Sequence, residues 1–150
     1  MSHTYSNLLV HAVFSTQRRR PLLNSGFRGE MHAYLGGIVR ELHGTALVVG
    51  GVDDHVHMLL RLPCDLAVSD CMRVVKTNSS RWVHLKWPER QDFAWQTGYG
   101  AFSVSESARD RVADYIRRQE EHHRTATFEQ ELVGFLKKQN IEYDERYLLG

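Results

Sequence analysis

The 150-residue chain predicts an α+β fold of ferredoxin-like order, β-α-β-β-α-β, an antiparallel sheet with helices appended at the C-terminal end. Three observations predict it. Stretches whose apolar residues alternate every second position are interleaved with longer stretches whose apolar residues recur at three- and four-residue steps. The two middle strand stretches are joined by a short Gly-Gly-Val-Asp-Asp turn, which makes them an antiparallel hairpin. Everything after the last alternating stretch carries helical periodicity alone. A hydrophobic content of 42% and a charged content of 25% fit one ordinary globular domain over residues 1–150. The net charge of +1 excludes global basicity, so any nucleic-acid binding must rest on local clusters. Nine histidines are the one anomaly of composition.

Taken in order, residues 5–15 form the first strand, with Leu8, Val10, Ala12 and Phe14 on one face and Asn7, Leu9, His11 and Val13 on the other. Gln17-Arg18-Arg19-Arg20-Pro21 is a basic loop closed by proline; its charges are either simply solvated or reach for phosphate. Asn24 or Ser25 caps a helix that runs to about His43, carries Phe27, Met31, Tyr34, Leu35, Ile38 and Leu42 as its apolar stripe, and ends at Gly44. Gly36-Gly37 inside it costs about 1 kcal/mol per glycine against alanine, which points to close packing on the sheet or to a kink. Residues 46–52 are the second strand and residues 55–62 the third, expected to be central. Asp65 or Ser69 begins the next helix, with Val68, Met72, Val75, Ser79 and Trp82 on one side, and Pro88 stops it. Its other sides carry Lys76, Thr77, Asn78, Ser80 and Arg81, which are either a wet face or a grip on a sugar-phosphate backbone. Residues 93–104 are the fourth strand, and Ser103-Val104-Ser105-Glu106 fits a capping box that opens a helix to about His123. Phe128, Leu132, Phe135 and Leu136 mark a last amphipathic helix, and the tail docks back through its aromatics. One sheet face is then left open for a site.

The chemistry concentrates at Asp53-Asp54-His55-Val56-His57. Successive strand side chains point to opposite faces, so His55 and His57 share the face that Val56 does not, with Cα atoms about 6.6 Å apart. Two such imidazoles can converge on one ion, with Asp53 and Asp54 placed to orient the rings; the plainer reading is a pair of surface histidines. His11 either joins that pair from a neighbouring strand or packs on the sheet. Downstream, Tyr115 and Gln119 are four apart and share a helix face, and the Gln119 carbonyl suits a hard or borderline cation. Arg111 and Arg118 flank that surface with cations suited to phosphate, although a tyrosine on such a helix is also ordinary core. Cys64 and Cys71 form no CxxC and read as reduced thiols. No signal peptide opens the chain and no apolar run nears the ~20 residues of a membrane span, so a cytoplasmic location is expected.

These pieces together resemble the single-tyrosine HUH transposases of the insertion-sequence 200/605 group, with their REP-associated relatives. His55-Val56-His57 looks like the HUH motif and Tyr115-x-x-x-Gln119 like the matching nucleophile motif. The resemblance spans nearly the whole chain and includes Gly51 to His57, Asn78-Ser79-Ser80-Arg81-Trp82, Trp95 to Val104 and Gln119-Glu120-Glu121-His122-His123. It implies an enzyme that cuts and rejoins single-stranded DNA beside hairpins through a 5′-phosphotyrosine. Tyr115 is then the nucleophile, and His55, His57 and Gln119 hold a divalent metal. Ligand softness suits zinc or manganese, whereas the resemblance points to Mg²⁺ or Mn²⁺, which we adopt. It also implies a homodimer and no membrane partner. Arg18, Arg19, Arg20, Lys76, Arg81 and Arg118 are the candidate DNA contacts, and His122 or a metal-bound water the candidate base. The competing readings are a non-catalytic single-stranded nucleic-acid-binding module, a host-adopted relative acting on repeated chromosomal hairpins, and a water-using phosphodiesterase in which Tyr115 is structural.

Overall fold

A computed structural model describes residues 3–148. The expected order is present: β1 (Leu8–Ser15), α1 (Ser25–Glu41), β2 (Thr45–Gly51), β3 (His55–Leu62), α2 (Val68–Lys86) and β4 (Gly100–Val104). Then come α3 (Arg109–Arg117), the single turn α4 (Gln119–His122) and α5 (Phe128–Lys138). The sheet is ordered β2-β3-β1-β4 with every pair antiparallel, so the histidine strand is central. Asn24 caps α1 by accepting the Phe27 amide. The left-handed residue that ends α1 is His43 rather than Gly44, since its φ is 66° and its N–H already returns to the Arg40 carbonyl. Neither Asp65 nor Ser69 caps α2; Ala67 stands at that position and no side chain caps it.

One face of the sheet carries Ala12, Phe14, Val56, Met58 and Leu60 and packs on α1 and α2 through Phe27, Met31, Leu35, Met72 and Val75. Burying that many large apolar side chains, each worth roughly 1.5–3 kcal/mol, makes this layer the main source of stability. The opposite face, expected to be open, is covered. Leu59 packs against Ala113 and Ile116 of α3, and Val13 and Phe102 pack against Phe128 and Leu132 of α5. Apolar residues on both faces of the central strands call for a cover on each side, and the C-terminal helices supply the second. The tail docks through Tyr143 and the buried Leu148, while the Tyr147 ring is exposed; Leu149 lies outside the described residues.

The fourth strand is shorter than expected. Residues 93–99 run beside the end of β1 without a ladder, held by one bridge between Thr16 and Trp95 and by the side-chain oxygen of Gln96 accepting the Ser15 amide at 2.7 Å. Regular pairing begins at Gly100, where a Cβ would stand 2.9 Å from Val13. Gly50, paired with His57, matters more: a Cβ there would lie 2.3 Å from the Ile116 carbonyl oxygen. Glycine at that position lets α3, and with it Tyr115, lie directly on the sheet beside the histidines.

Candidate active site

The covered face is where the histidines meet. His55 and His57 are fully buried on it and turn toward one another, with ring centroids 5.1 Å apart. His11 of β1 joins them: its Nε2 and the Nδ1 of His57 share a hydrogen bond of 2.7 Å. His55 Nδ1 donates to Asp54 at 2.8 Å, so Asp54 orients the ring as expected, whereas Asp53 is occupied by Arg28. His123, just after α4, donates from Nδ1 to the Ala126 carbonyl at 2.7 Å. The imidazoles of His55, His57 and His123 are therefore held by Nδ1 and present Nε2 inward.

What they surround is the carboxylate of Glu131 from α5, a residue outside the expected site set. Its Oε1 accepts from His57 Nε2 at 2.8 Å and lies 3.3 Å from the Nε2 atoms of both His55 and His123. Its Oε2 accepts the Tyr115 hydroxyl and lies 3.4 Å from His122 Nε2. Tyr115 and Gln119 do not share one continuous helix. The chain leaves helical geometry at Arg118 (φ −99°, ψ 26°), and α4 restarts at Gln119. The kink still delivers Gln119 to the cluster, where its side-chain oxygen accepts from His55 Nε2 at 3.0 Å. The expected capping box at residues 103–106 is absent. One is formed instead by Thr127 and Gln130, and it fixes the start of α5 just ahead of Glu131.

His55, His57, His123 and Glu131 each place one donor atom within 4.8 Å of the others, a grouping that could hold a metal ion. Three features of the site fit a divalent cation. The Nε2 of His123 is buried and, among the described residues, has no hydrogen-bond partner of good geometry, although it lies 3.3 Å from Glu131 Oε1. Each inward nitrogen belongs to a ring fixed at its other nitrogen, the arrangement that metal-binding histidines use to set tautomer and orientation. The separations of 2.8–3.3 Å around Glu131 Oε1 and His55 Nε2 also match the edge of about 3.0 Å expected between adjacent ligands at 2.0–2.1 Å from one ion.

Burial and neighbouring charge set the protonation of the cluster. Burial opposes charge on His55, but Asp54, Glu131 and Gln119 accept its protons and raise its pKa to about 9. Burial dominates at His57 and lowers it to about 4; burial together with the neighbouring His57 lowers His11 to about 3. Burial opposes the charge on Glu131 too, and the imidazoles of His123, His55 and His57 outweigh it, holding the carboxyl below its usual range. Burial and that carboxylate keep the Tyr115 phenol protonated well above its ordinary range.

These shifts predict a stability optimum for the metal-free protein. His55 keeps its proton in the fold up to about pH 9 but loses it near 6.5 when unfolded, so stability falls as pH rises through that window. His11 and His57 stay neutral in the fold to about pH 3 and 4 while the unfolded chain takes up protons near 6.5, so stability also falls as pH drops below 6.5. Melting temperatures measured in chelator should therefore peak near pH 6.5, and a profile that climbs steadily from pH 5 to 9 would contradict this protonation pattern.

The candidate DNA contacts divide by place. Arg18 and Arg19 both take left-handed backbone (φ 57° and 55°) and line an open cavity of about 670 Å³ together with Arg28, Asp54, Glu120 and His123. Arg118 lines an adjoining cavity that shares Ser25, Arg28 and Glu120 with the first. Arg20 is instead tied to Asp92, 3.6 Å to the carboxylate and 2.7 Å to the backbone carbonyl. Lys76 donates to the carbonyls of Thr97 and Gly98, and burial lowers its pKa to about 8. Lys76 and the exposed Arg81 both ride on α2, beyond the opposite sheet face.

A family model described as "Transposase IS200 like" matches residues 4–119, a span that includes both histidines, Tyr115 and Gln119. The chain belongs to the IS200-like transposases. It is 31% identical over 128 residues to the transposase for insertion sequence element IS200 of Salmonella typhimurium, covering 79% of this chain and 81% of the relative. The IS200 transposase of Salmonella typhi matches to the same extent. Among solved structures, a candidate transposase from Deinococcus radiodurans R1 superposes with a TM-score of 0.66 at 22% identity, covering 79% of this chain and 95% of its own. A REP-associated tyrosine transposase bound to a REP hairpin superposes with a TM-score of 0.61 at 16% identity, covering 82% and 74%. These two likenesses carry the fold. The α+β architecture is thus that of the IS200-like transposases, and Glu131 lies beyond the residues that the family model matches. No helix among the described residues is long and apolar enough to cross a membrane.

Glu131 and His123 had signals in the sequence. Phe128, Leu132 and Phe135 define the apolar stripe of α5, and Glu131, three residues after Phe128, falls inside it. A carboxylate on the buried stripe of an amphipathic helix needs a partner, and nine histidines offered one. His123 sits in a run read only for its likeness to the family, and its distance in sequence from His55 hid their contact.

Proposed function

We propose that this transposase cuts and rejoins single-stranded DNA at hairpin-flanked sites through a 5′-phosphotyrosine, with Tyr115 as the nucleophile. The observation that carries the reading is the convergence of the Tyr115 hydroxyl and three inward-facing imidazoles on one buried point. The Tyr115 oxygen attacks phosphorus, a new P–O bond forms, and the bond to the 3′ oxygen breaks. The phenol gives up its proton and the 3′ oxygen takes one up to leave as a hydroxyl. The aryl ester leaves easily, so the reverse step joins strands and a phosphodiester is conserved throughout. His55, His57 and Gln119, with His123 and Glu131 beside them, would hold a divalent cation, Mg²⁺ or Mn²⁺. When bound, such an ion polarises the scissile phosphate and neutralises charge developing on it. Hairpin recognition is supported by the REP-hairpin complex of the structural neighbour, and insertion-sequence mobility rather than a host role by the IS200 relatives. Incubation with single-stranded hairpin DNA and Mn²⁺ should give a covalent protein–DNA adduct that survives denaturation. Binding without any adduct would favour the non-catalytic module.

The same reading assigns the strand that approaches the cluster to Arg18, Arg19 and Arg118, whose cavities adjoin it. Arg20 and Lys76 keep mainly structural partners. The double substitution Arg18→Ala/Arg19→Ala is expected to weaken binding of single-stranded DNA at low salt by about tenfold. The slope of log affinity against log salt should fall by about 0.7 for each phosphate that is no longer neutralised. Arg20→Ala should leave that slope unchanged while lowering thermal stability.

A further inference from the structure

The phosphotyrosine mechanism needs the nucleophile beside the ion, and so needs something that keeps it there. We infer that Glu131 is a bridge between the two, one carboxylate oxygen entering the coordination shell of the ion and the other fixing the Tyr115 hydroxyl, so that metal loading and placement of the nucleophile are one event. The inference rests on the ion site proposed for His55, His57 and Gln119 and adds to it a ligand from outside the segment that matches the family.

Each half of the bridge is visible. Oε1 faces the inward nitrogens of His57, His55 and His123 at 2.8, 3.3 and 3.3 Å, and Oε2 holds the phenol. A side chain that merely packed would not divide its two oxygens between the ion-binding histidines and the reacting hydroxyl. The charges point the same way. Glu131 is 7% exposed, and among the described residues no lysine or arginine pairs with it. Away from lysine and arginine, this buried carboxylate takes its compensation from the imidazole cluster, and a divalent ion held there would supply it in full. Conversely, two imidazoles and an amide are neutral ligands and leave the full charge of the ion uncompensated inside the fold; one carboxylate halves it. His55, His57, Gln119, His123 and Glu131 would offer the ion five donors, of which Glu131 alone carries negative charge.

The position of the carboxylate is built rather than incidental. Phe128 and Leu132 are buried against Val13 and Phe102, and this locks the rotation of α5 about its axis. The Thr127/Gln130 capping box sets where the helix begins, and the Glu131 amide donates to the Thr127 carbonyl at 3.0 Å. Register and rotation together leave Glu131 facing the imidazoles.

The test reads metal affinity and the state of the tyrosine separately. Mn²⁺ is titrated into the full chain and followed by calorimetry, for the wild type, Glu131→Gln and His57→Ala. In parallel, Mg²⁺ is titrated into tyrosine-labelled protein and followed by NMR, the Tyr115 resonance being the one missing from Tyr115→Phe. Glu131→Gln is expected to bind Mn²⁺ at least about tenfold more weakly than the wild type. Its Tyr115 resonance should no longer respond to Mg²⁺, whereas in the wild type it should shift. If Glu131→Gln binds Mn²⁺ as tightly as the wild type while His57→Ala does not, the bridge is overturned and the histidine site stands. If the wild type and His57→Ala are indistinguishable, the ion site itself is wrong. Should the amide variant fail to fold in chelator, Glu131→Asp keeps the charge on a shorter arm, and unchanged values of both readouts in that variant would equally overturn the bridge.

Discussion

Replacing Tyr115 by phenylalanine is expected to abolish the covalent DNA adduct and to lower strand cleavage by at least about four orders of magnitude, the scale on which loss of an enzymatic nucleophile acts. The substitution removes one oxygen and leaves the ring, which packs edge-on against Phe135 and His122 at centroid distances of 5.7 and 5.2 Å. The fold and the arginine-lined cavities should therefore persist, and hairpin DNA should bind within a few-fold of the wild-type affinity. The structural cost is the donor removed from Glu131 Oε2, about 1–3 kcal/mol for an acceptor left short of a partner, partly made up by His122 nearby. The measurement is a denaturing gel of labelled DNA with and without Mn²⁺. Cleavage that continues in Tyr115→Phe without an adduct would mean that water attacks and that Tyr115 is structural.

His57→Ala should have the next largest effect, and on two observables together. His57 is fully buried and holds His11 on one side and Glu131 on the other, so truncation opens a cavity and strips a partner from each. A loss of about 2–4 kcal/mol in denaturant stability is expected, with the fold retained. Mn²⁺ affinity should fall by more than about tenfold, and metal-dependent cleavage with it. The acid side of the stability profile should also flatten, because one of the cluster imidazoles that stay neutral in the fold is gone while His11 and His32 remain. A variant that loses stability yet binds Mn²⁺ normally would reduce His57 to a packing residue.

Much of this architecture was legible from periodicity. Short apolar runs bounded by turn residues mark β1 and β3, and three- and four-residue steps mark α1, α2 and α5, because each element must bury its apolar residues with its own period. The departures have local causes. The stretch over residues 93–99 has the aromatics of a strand but binds β1 through the Gln96 side chain and a single bridge, and no pattern of hydrophobicity distinguishes that from a ladder. The break at Arg118 interrupts a periodic segment that reads as continuous through Tyr115 and Gln119. The open sheet face was expected from the β-α-β-β-α-β core alone, before the amphipathic stripes after β4 were required to find something to cover.

The amino-acid sequence by itself determined the order of the elements, the pairing of His55 with His57 on one strand face, and the presence of a tyrosine and an amide downstream, since each follows from short-range spacing. Only the tertiary structure decided that these groups share a point with His11, His123 and Glu131. Those residues come from β1, the segment after α4, and α5, and nothing local relates them. What brings them together is the antiparallel register of β1 with β3, the room that Gly50 leaves for α3, and the burial of Phe128 and Leu132 that turns α5. A carboxylate inside an apolar stripe is costly in any single helix and becomes favourable only once other parts of the chain, and the ion we place there, surround it with positive charge.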